Sequence, residues 1–90
     1  MTSQTSCKHI TAISEFKTAN EHVCEECVKL GDGWVHLRTC QECGVTLCCD
    51  NSKNKHATAH YRSTNHPVIS SGELNERWLW CYADKAFVTY

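Results

Sequence analysis

Cysteine and histidine residues recur at metal-ligand spacing between residues 24 and 66. From Cys24 the order is C-x2-C-x12-C-x2-C-x4-C-C-x6-H-x3-H-x5-H. A C-x2-C pair presents two thiols from one short stretch of backbone, and a tetrahedral zinc ion needs four nitrogen or sulfur ligands. Two such pairs within 20 residues therefore indicate zinc binding.

The ligands in this stretch are enough for two zinc ions, with one residue in excess. The two C-x2-C pairs supply four thiols, and five further residues compete to complete the sites. These five residues are Cys48, Cys49, His56, His60 and His66. The spacing leaves the pairing open, because His56 and His60 would lie near one face of a helix and could share one metal. Cys49 is either a buried small side chain, a reactive thiol or an alternative ligand beside Cys48.

A second set of candidate ligands lies towards the two ends of the chain. Cys7 and His9 form a C-x-H pair, and Cys81 lies on the last but one of the predicted strands. A third zinc ion would join these segments if they are neighbours. Asp84 follows Cys81 at the same spacing as the second cysteine of a C-x2-C pair. Strand alternation would place the two side chains on opposite faces unless the chain bends. Asp84 is therefore either a fourth ligand or a hydrogen-bond acceptor beside the ligands.

The elements that must position these ligands predict a small α+β fold. Short strands are expected at residues 34–39, 45–49, 68–70, 77–82 and 86–89, from their branched and aromatic residues. One main helix is expected over residues 53–64, ending at Asn65 before Pro67. The expected architecture is a twisted antiparallel sheet with this helix, stabilised by zinc.

Length and charge narrow the function classes. A chain of 90 residues corresponds to one domain, whose core is small enough to need a metal or disulfide staple. The polar N-terminus shows no export signal, so cytoplasmic zinc is favoured over disulfides. No apolar run reaches membrane-spanning length.

Residues 40–60 also match the spacing of a DNA-binding C2H2 finger, but a net charge of −1 argues against binding to nucleic acid.

Catalysis has little support in the sequence. Four Cys or His ligands fill a zinc ion's coordination sphere and leave no position for substrate or water. The motifs of zinc hydrolases and deaminases are absent from the sequence. A weakly ligated site at Cys7, His9 and Cys81 could hold a water molecule, so a metal-handling protein or a zinc enzyme is the alternative hypothesis.

The order of these residues resembles the UBP-type zinc finger, the zinc finger of ubiquitin-specific proteases. The motifs that carry the resemblance are Cys-x-His, two Cys-x2-Cys pairs, His-x3-His, His-Pro and Trp-x-Trp-Cys-Tyr. The similarity extends from Cys7 to about Phe87 and is greatest to short, free-standing bacterial members. It implies a single domain over residues 1–90, with a core of about residues 7–89.

The resemblance also implies a cross-braced pairing of the ligands. One zinc ion would be bound by Cys24, Cys27, Cys48 and His56. A second would be bound by Cys40, Cys43, His60 and His66. Members with three zinc ions add a site that matches Cys7, His9, Cys81 and Asp84. The family has a cysteine where this chain has Asp84.

Family members bind the free C-terminal tail of ubiquitin, so the resemblance implies a groove for a protein or peptide tail. The residues that match this groove are Trp34, Trp80, Tyr82 and Phe87. The family's tail-binding arginine corresponds to Asp50, whose carboxylate would repel a peptide carboxylate. Trp78 is expected to pack in the core. The expected function is non-catalytic recognition of a protein or peptide by a monomer, with weak or no binding of ubiquitin and no nucleic acid or membrane partner.

Overall fold

Five short antiparallel strands form the sheet of this protein. The computed structural model describes residues 7–13, 15–19, 21–73 and 75–89. The strands found within these ranges are β1 (Leu37–Cys40), β2 (Thr46–Cys48), β3 (Val68–Ser71), β4 (Trp78–Cys81) and β5 (Ala86–Thr89). Their spatial order is β2-β1-β3-β4-β5, and every neighbouring pair is antiparallel. The predicted α+β class with an antiparallel sheet is confirmed.

The longest helix of the described ranges begins later than the sequence predicts. The helices are α1 (Lys8–Thr11), α2 (Glu25–Leu30) and α3 (His56–Thr64). The prediction that α3 begins at residue 53 is wrong, because Lys55 adopts a left-handed conformation with φ of 50°. Asn65, with φ of 61°, ends α3 where predicted. The sequence did not predict α1 and α2, which are too short to show a helical period.

The first strand is also shorter than predicted. Residues 34–36 precede β1, and pairing with β2 begins with Leu37 opposite Cys48. On the other side of β1, Cys40 lies opposite Ile69 of β3. Because β1 and β2 are antiparallel, Cys48 at the end of β2 and Cys40 at the end of β1 lie at opposite ends of this pair, so candidate ligands are presented at both ends.

The buried core has two parts, and both contain cysteine. One part consists of Cys7, Ile10, Val68, Leu79, Cys81 and Val88. The other consists of Cys24, Cys27, Leu37, Leu47, Cys48 and Ala57. Thiols therefore occupy positions that aliphatic side chains fill in larger domains. No helix within the described residues is both long enough and apolar enough to span a membrane.

Candidate metal centres and an aromatic depression

The first cluster joins α2, β2 and the start of α3. Cys24 precedes α2 and Cys27 lies in its first turn, where the Cys27 N–H donates to the Cys24 sulfur at 3.4 Å. The Nδ1 atom of His56 lies 3.4 Å from each of these two sulfurs and 3.5 Å from the Cys48 sulfur. The sulfurs of Cys27 and Cys48 are 3.8 Å apart. Four donor atoms from three elements therefore surround one point.

The sulfur of Cys48 also explains how α3 begins. The backbone N–H of His56 donates to this sulfur at 3.2 Å. The side chain of Lys55, the residue before α3, makes no capping hydrogen bond to the helix. The first N–H groups of a helix need acceptors from outside it. The metal cluster supplies one of them, so the position of His56 and the start of α3 are fixed together.

The second cluster consists of Cys40, Cys43, His60 and His66 and lies where β1 ends. Gly44, with φ of 82°, turns the chain after Cys43, and its N–H donates to the Cys40 carbonyl at 2.8 Å. The Cys40 sulfur lies 3.6 Å from His66 Nδ1, and the Cys43 sulfur lies 3.5 Å from His60 Nε2. Burial lowers the pKa of His60, and the neighbouring His66 lowers it further. The neutral imidazole, which is the ligand form, is therefore favoured.

The third cluster brings the two distant ends of the chain together. Cys7 and His9 lie at α1, whereas Cys81 ends β4 and Asp84 lies in the turn that follows. The Asp84 Oδ2 atom accepts from the Cys7 thiol at 2.9 Å and lies 3.0 Å from His9 Nδ1. His9 Nδ1 is 3.5 Å from the Cys81 sulfur. Because residues 82–85 form a turn, strand alternation does not apply to Asp84, and its carboxylate lies beside Cys81.

The first two clusters fit a tetrahedral zinc ion. Zinc–ligand bonds of about 2.3 Å to sulfur and about 2.0 Å to nitrogen give tetrahedron edges of about 3.8 Å between sulfurs and about 3.5 Å between sulfur and nitrogen. The separations between donor atoms in these clusters run from 3.4 to 3.8 Å. In all three clusters the candidate donor atoms lie within 4.8 Å of one another.

The buried thiols hold their protons strongly in the absence of a cation. Burial raises the pKa of Cys24 to about 12 and the pKa of Cys7 to about 11. For Cys7, the hydrogen bond to Asp84 raises the pKa further. A metal ion at these positions would replace thiol protons and compensate the buried negative charge. The donor chemistry therefore suits zinc, which binds thiolate and imidazole together.

Comparison with known proteins gives the family. Residues 17–90 match the family described as a Zn-finger in ubiquitin-hydrolases and other proteins. The chain belongs to this family of UBP-type zinc fingers. The family and the three clusters together support Zn²⁺ as the cofactor, at two or three sites.

Two relatives illustrate how far the similarity extends. The chain is 42% identical to a Rhodopseudomonas palustris protein solved by NMR in solution, with a TM-score of 0.84. That alignment covers 97% of this chain and 84% of the other. The chain is also 31% identical over 65 residues to the NAD-dependent deacetylase sir2A of Dictyostelium discoideum. This match covers 72% of the chain but 11% of the deacetylase, so the chain spans a small part of that relative's length.

The UBP-type arrangement separates the residues of the C2H2 spacing. Cys40 and Cys43 converge with His60, whereas His56 lies in the first cluster. The helical pair His56 and His60 therefore serves two clusters, although the two side chains are four residues apart. Sequence spacing had left open whether they share a metal. Cys49 belongs to none of the three clusters and is buried, with its sulfur 3.5 Å from Ser52 Oγ.

A depression of about 260 Å³ lies on one face of the sheet of this zinc finger. It is lined by Arg38, Cys49, Asp50, Asn51, Ile69, Trp78, Trp80 and Phe87 and is called the aromatic depression below. Trp80 occupies its middle strand, opposite Ile69 of β3 and Phe87 of β5. Three of the five groove residues expected from the sequence, Asp50, Trp80 and Phe87, therefore meet here.

The other two expected groove residues lie outside the lining of the depression. Tyr82 stacks on Tyr61, with ring centroids 4.7 Å apart. Its hydroxyl lies 3.2 Å from Thr58 Oγ1, which donates to the Asp50 carboxylate at 2.6 Å. Tyr82 thus contacts the edge of the depression through Thr58. Trp34 packs against the core part that contains the first cluster.

Among the lining residues that sequence reasoning did not place in the depression, Arg38 and Trp78 contribute a charge and an aromatic ring. The Cζ atom of Arg38 lies 4.7 Å from the ring centroid of Trp78, and Arg38 Nη1 donates to the Leu37 carbonyl at 2.8 Å. The Trp78 ring lies 5.6 Å from that of Phe87. Trp78 was expected in the core, yet it lines the depression and is partly exposed. The sequence signal that could have found Arg38 is its place in a predicted strand between Leu37 and Thr39, because alternate side chains of a strand point to opposite faces.

Proposed function

We propose that this UBP-type zinc finger is a single non-catalytic module, with a core over residues 7–89, that recognises a protein or peptide segment. The first zinc ion is bound by Cys24, Cys27, Cys48 and His56, and the second by Cys40, Cys43, His60 and His66. These two ions are structural. A third is bound by Cys7, His9, Cys81 and Asp84. Four protein donors at each ion leave no open position for a substrate, which supports a non-catalytic role.

The aromatic depression is the observation that carries the recognition proposal. Trp78, Trp80 and Phe87 present aromatic surface there, and Phe87 is 57% exposed. Tryptophan and other aromatic residues dominate binding energy at protein interfaces. Pockets for small-molecule ligands usually measure about 300–1,000 Å³. A volume of about 260 Å³ suits a short chain segment with one or two inserted side chains better than a cofactor.

Two opposite charges in the aromatic depression determine which kind of chain segment it binds. Asp50 is exposed at the edge, where its carboxylate repels an anionic chain end. The guanidinium of Arg38 covers Trp78 and donates to the Leu37 carbonyl, so part of its hydrogen-bonding capacity is used within the protein. A neutral or dipolar segment fits this pair of charges better than an acidic tail does. Ubiquitin, which other family members bind through its free tail, binds weakly or not at all.

Titration of the isotope-labelled chain with intact ubiquitin, followed by NMR, tests this preference. We expect little or no binding by the unchanged chain, and tighter binding, by about tenfold, after Asp50→Arg, because this substitution exchanges repulsion for a charge-assisted hydrogen bond. The preference for non-anionic ligands is contradicted if the unchanged chain binds ubiquitin with micromolar or tighter affinity that Trp80→Ala abolishes.

Selection from a random peptide library tests recognition itself. Peptides selected on the zinc-loaded chain should lose binding by about tenfold or more after Trp80→Ala, as expected for an aromatic hot spot. Val28→Ala is the matched control, since Val28 is 56% exposed on α2 and does not line the depression. If no selected peptide depends on Trp80, or if both variants lose binding equally, the aromatic depression is not the recognition site.

A further inference from the structure

We propose that the third cluster is an exchangeable metal site, which releases its Zn²⁺ ion while the first and second clusters retain theirs. The site comprises Cys7, His9, Cys81 and Asp84. This inference concerns the opposite ends of the chain and does not depend on what the aromatic depression binds. Exposure separates the third cluster from the first, whereas the donor distances and the donor type separate it from both the first and the second, in which Cys43 is also exposed.

Exposure separates the third cluster from the first. The side chains of His9 and Asp84 are 46% and 45% exposed. In the first cluster, by contrast, all three cysteines have 0% exposure. Cys7 and Cys81 of the third cluster are buried, so the cluster has a closed thiol side and an open side formed by imidazole and carboxylate. Water and small chelators can reach an ion from that open side.

In the third cluster, the Asp84 carboxylate lies closer to its neighbours than two ligands of one tetrahedral zinc ion lie to each other. Bonds of about 2.3 Å to sulfur, 2.0 Å to nitrogen and 2.1 Å to oxygen would place a tetrahedral carboxylate oxygen about 3.6 Å from sulfur and about 3.4 Å from nitrogen. The observed separations are 2.9 Å from the Cys7 sulfur and 3.0 Å from His9 Nδ1. These are hydrogen-bond distances, and the Cys7 thiol donates to Asp84.

Hydrogen bonding between Asp84 and its two neighbours would lower the cost of losing an ion from this cluster. When the ion leaves, Asp84 accepts hydrogen bonds from the two partners that were its fellow ligands. The sulfur–sulfur pair of the first cluster, Cys27 and Cys48, lies instead at the zinc edge length of 3.8 Å, and that cluster contains no carboxylate. A buried thiol without a carboxylate acceptor is stabilised more by binding the ion than is Cys7, which has Asp84 as an acceptor. The first cluster therefore binds its ion more tightly.

Donor type acts in the same direction. The third cluster offers two thiolates, one imidazole and one carboxylate, whereas the first offers three thiolates and one imidazole. Soft thiolates select zinc, whereas carboxylates suit harder ions such as Mg²⁺ and Mn²⁺. Replacing one thiolate by a carboxylate therefore weakens the hold on Zn²⁺. The site remains suited to borderline divalent ions, among them Zn²⁺ and Co²⁺.

Apolar packing keeps the N-terminal segment in place after the ion has left. Ile10 of α1 is 6% exposed and packs in the same core part as Val68, Leu79 and Val88. These contacts attach α1 to the sheet independently of the cluster. The release of the third ion is therefore expected to leave the fold intact, unlike the loss of an ion from the clusters that connect α2, α3 and the sheet.

Native mass spectrometry of the zinc-loaded chain, with a mild chelator added stepwise, tests the proposal. We expect three ions per chain at saturating zinc, one for each cluster. The first ion should be lost at a chelator concentration that leaves the circular dichroism spectrum unchanged, and the remaining ions should be lost together with the fold. The proposal is overturned if the chain never holds more than two ions, if all ions leave together, or if the first loss unfolds the chain.

Substitutions at Asp84 identify the ion that leaves. Asp84→Cys should raise the chelator concentration for the first loss at least tenfold, because a thiolate replaces the carboxylate. Asp84→Asn should lower it, so the site can be tested even if the cysteine variant does not fold. Asp50→Asn is the control, since Asp50 is an exposed carboxylate outside the three clusters. A first loss that is unchanged in both Asp84 variants, or shifted equally by Asp50→Asn, overturns the assignment.

Discussion

Two adjacent cysteines of this zinc finger have different environments. The Cys48 sulfur contacts the Cys27 sulfur and His56 Nδ1 and accepts the His56 N–H. The Cys49 side chain lies on the other side of the backbone, where its sulfur contacts Ser52 and it lines the aromatic depression. Both residues are buried, so exposure does not distinguish them. Their roles differ because their side chains point in different directions: neighbouring side chains of an extended segment point to opposite faces.

We therefore expect opposite results from two matched substitutions. Cys48→Ser should remove one zinc ion per chain and lower the unfolding temperature strongly, because a structural zinc site contributes directly to folding. Cys49→Ser should retain every ion and cost about 1 kcal/mol, the typical effect of a small core change. Native mass spectrometry and thermal unfolding measure both effects. Equal metal loss in the two variants would contradict the proposed ligand set of the first zinc ion.

At the scale of elements, a close backbone approach holds the loop after β3 to the start of β1. The Gly72 N–H donates to the Leu37 carbonyl at 2.8 Å. A Cβ atom at position 72 would lie 2.8 Å from the Leu37 Cβ and 3.2 Å from its carbonyl carbon. Leu37 is 3% exposed and packs in the core part of the first cluster, so it has little room to move. The absence of a side chain at Gly72 therefore allows these two segments to meet.

Gly72→Ala is expected to reduce the free energy of unfolding by about 1–3 kcal/mol, the usual cost of overpacking. Gly33→Ala is the matched control, because a Cβ atom there meets nothing within 4 Å. Denaturant unfolding of the zinc-loaded variants measures the difference. Native mass spectrometry should show unchanged zinc content in both, since neither residue belongs to a cluster. An equal loss of stability in the two variants would show that the close approach is not the cause.

At the scale of the whole molecule, metal binding and folding are coupled. One core part contains the thiols of Cys24, Cys27 and Cys48, which belong to the first proposed zinc site, so removing that ion leaves polar groups in the core. The apparent binding free energy of structural zinc is about 10–16 kcal/mol, whereas a small domain is stable by only about 5–15 kcal/mol. The first cluster also joins α2, β2 and α3. We therefore infer that the chain does not keep this fold without its zinc ions.

The sign of the pH dependence follows from the buried thiols. Burial raises the pKa of Cys24 to about 12, so metal-free folded chain keeps this proton across the neutral range. In the metal-free chain, the raised pKa of Cys24 lowers the stability of the fold only at alkaline pH. The loss begins near the pKa of the unfolded thiol and is complete at about 12. Zinc binding requires the thiolate, and protons compete with zinc as the pH falls. The zinc-loaded fold is therefore expected to lose stability towards acid.

An acid titration that combines circular dichroism with a zinc-sensitive dye measures this effect. Unfolding and zinc release should occur together, apart from the earlier release of the third ion. Added zinc should move the unfolding midpoint to lower pH by mass action. The coupling would be disproved by a chain that releases all its zinc and keeps its circular dichroism spectrum, or by a midpoint that excess zinc does not move.

The sequence alone determined the metal chemistry and much of the local structure. The C-x2-C pairs indicate zinc because both ligands of a pair come from one short segment, whose geometry does not depend on the rest of the fold. The end of α3 at Asn65 and the approximate positions of the five strands were predictable for the same reason. Local preferences act over a few residues and can be recognised in the sequence.

The tertiary structure alone decided which distant residues meet. The turn after β4 brings Asp84 to Cys7 and His9, although strand alternation predicted the opposite face. The pairing of β3 with both β1 and β4 brings Arg38 and Trp78 together in the aromatic depression. His56 and His60 join different clusters because α3 packs against both β1 and β2, with His56 near Cys48 at the end of β2 and His60 near Cys40 at the end of β1. Such contacts depend on long-range packing and strand register, which spacing along the chain does not encode.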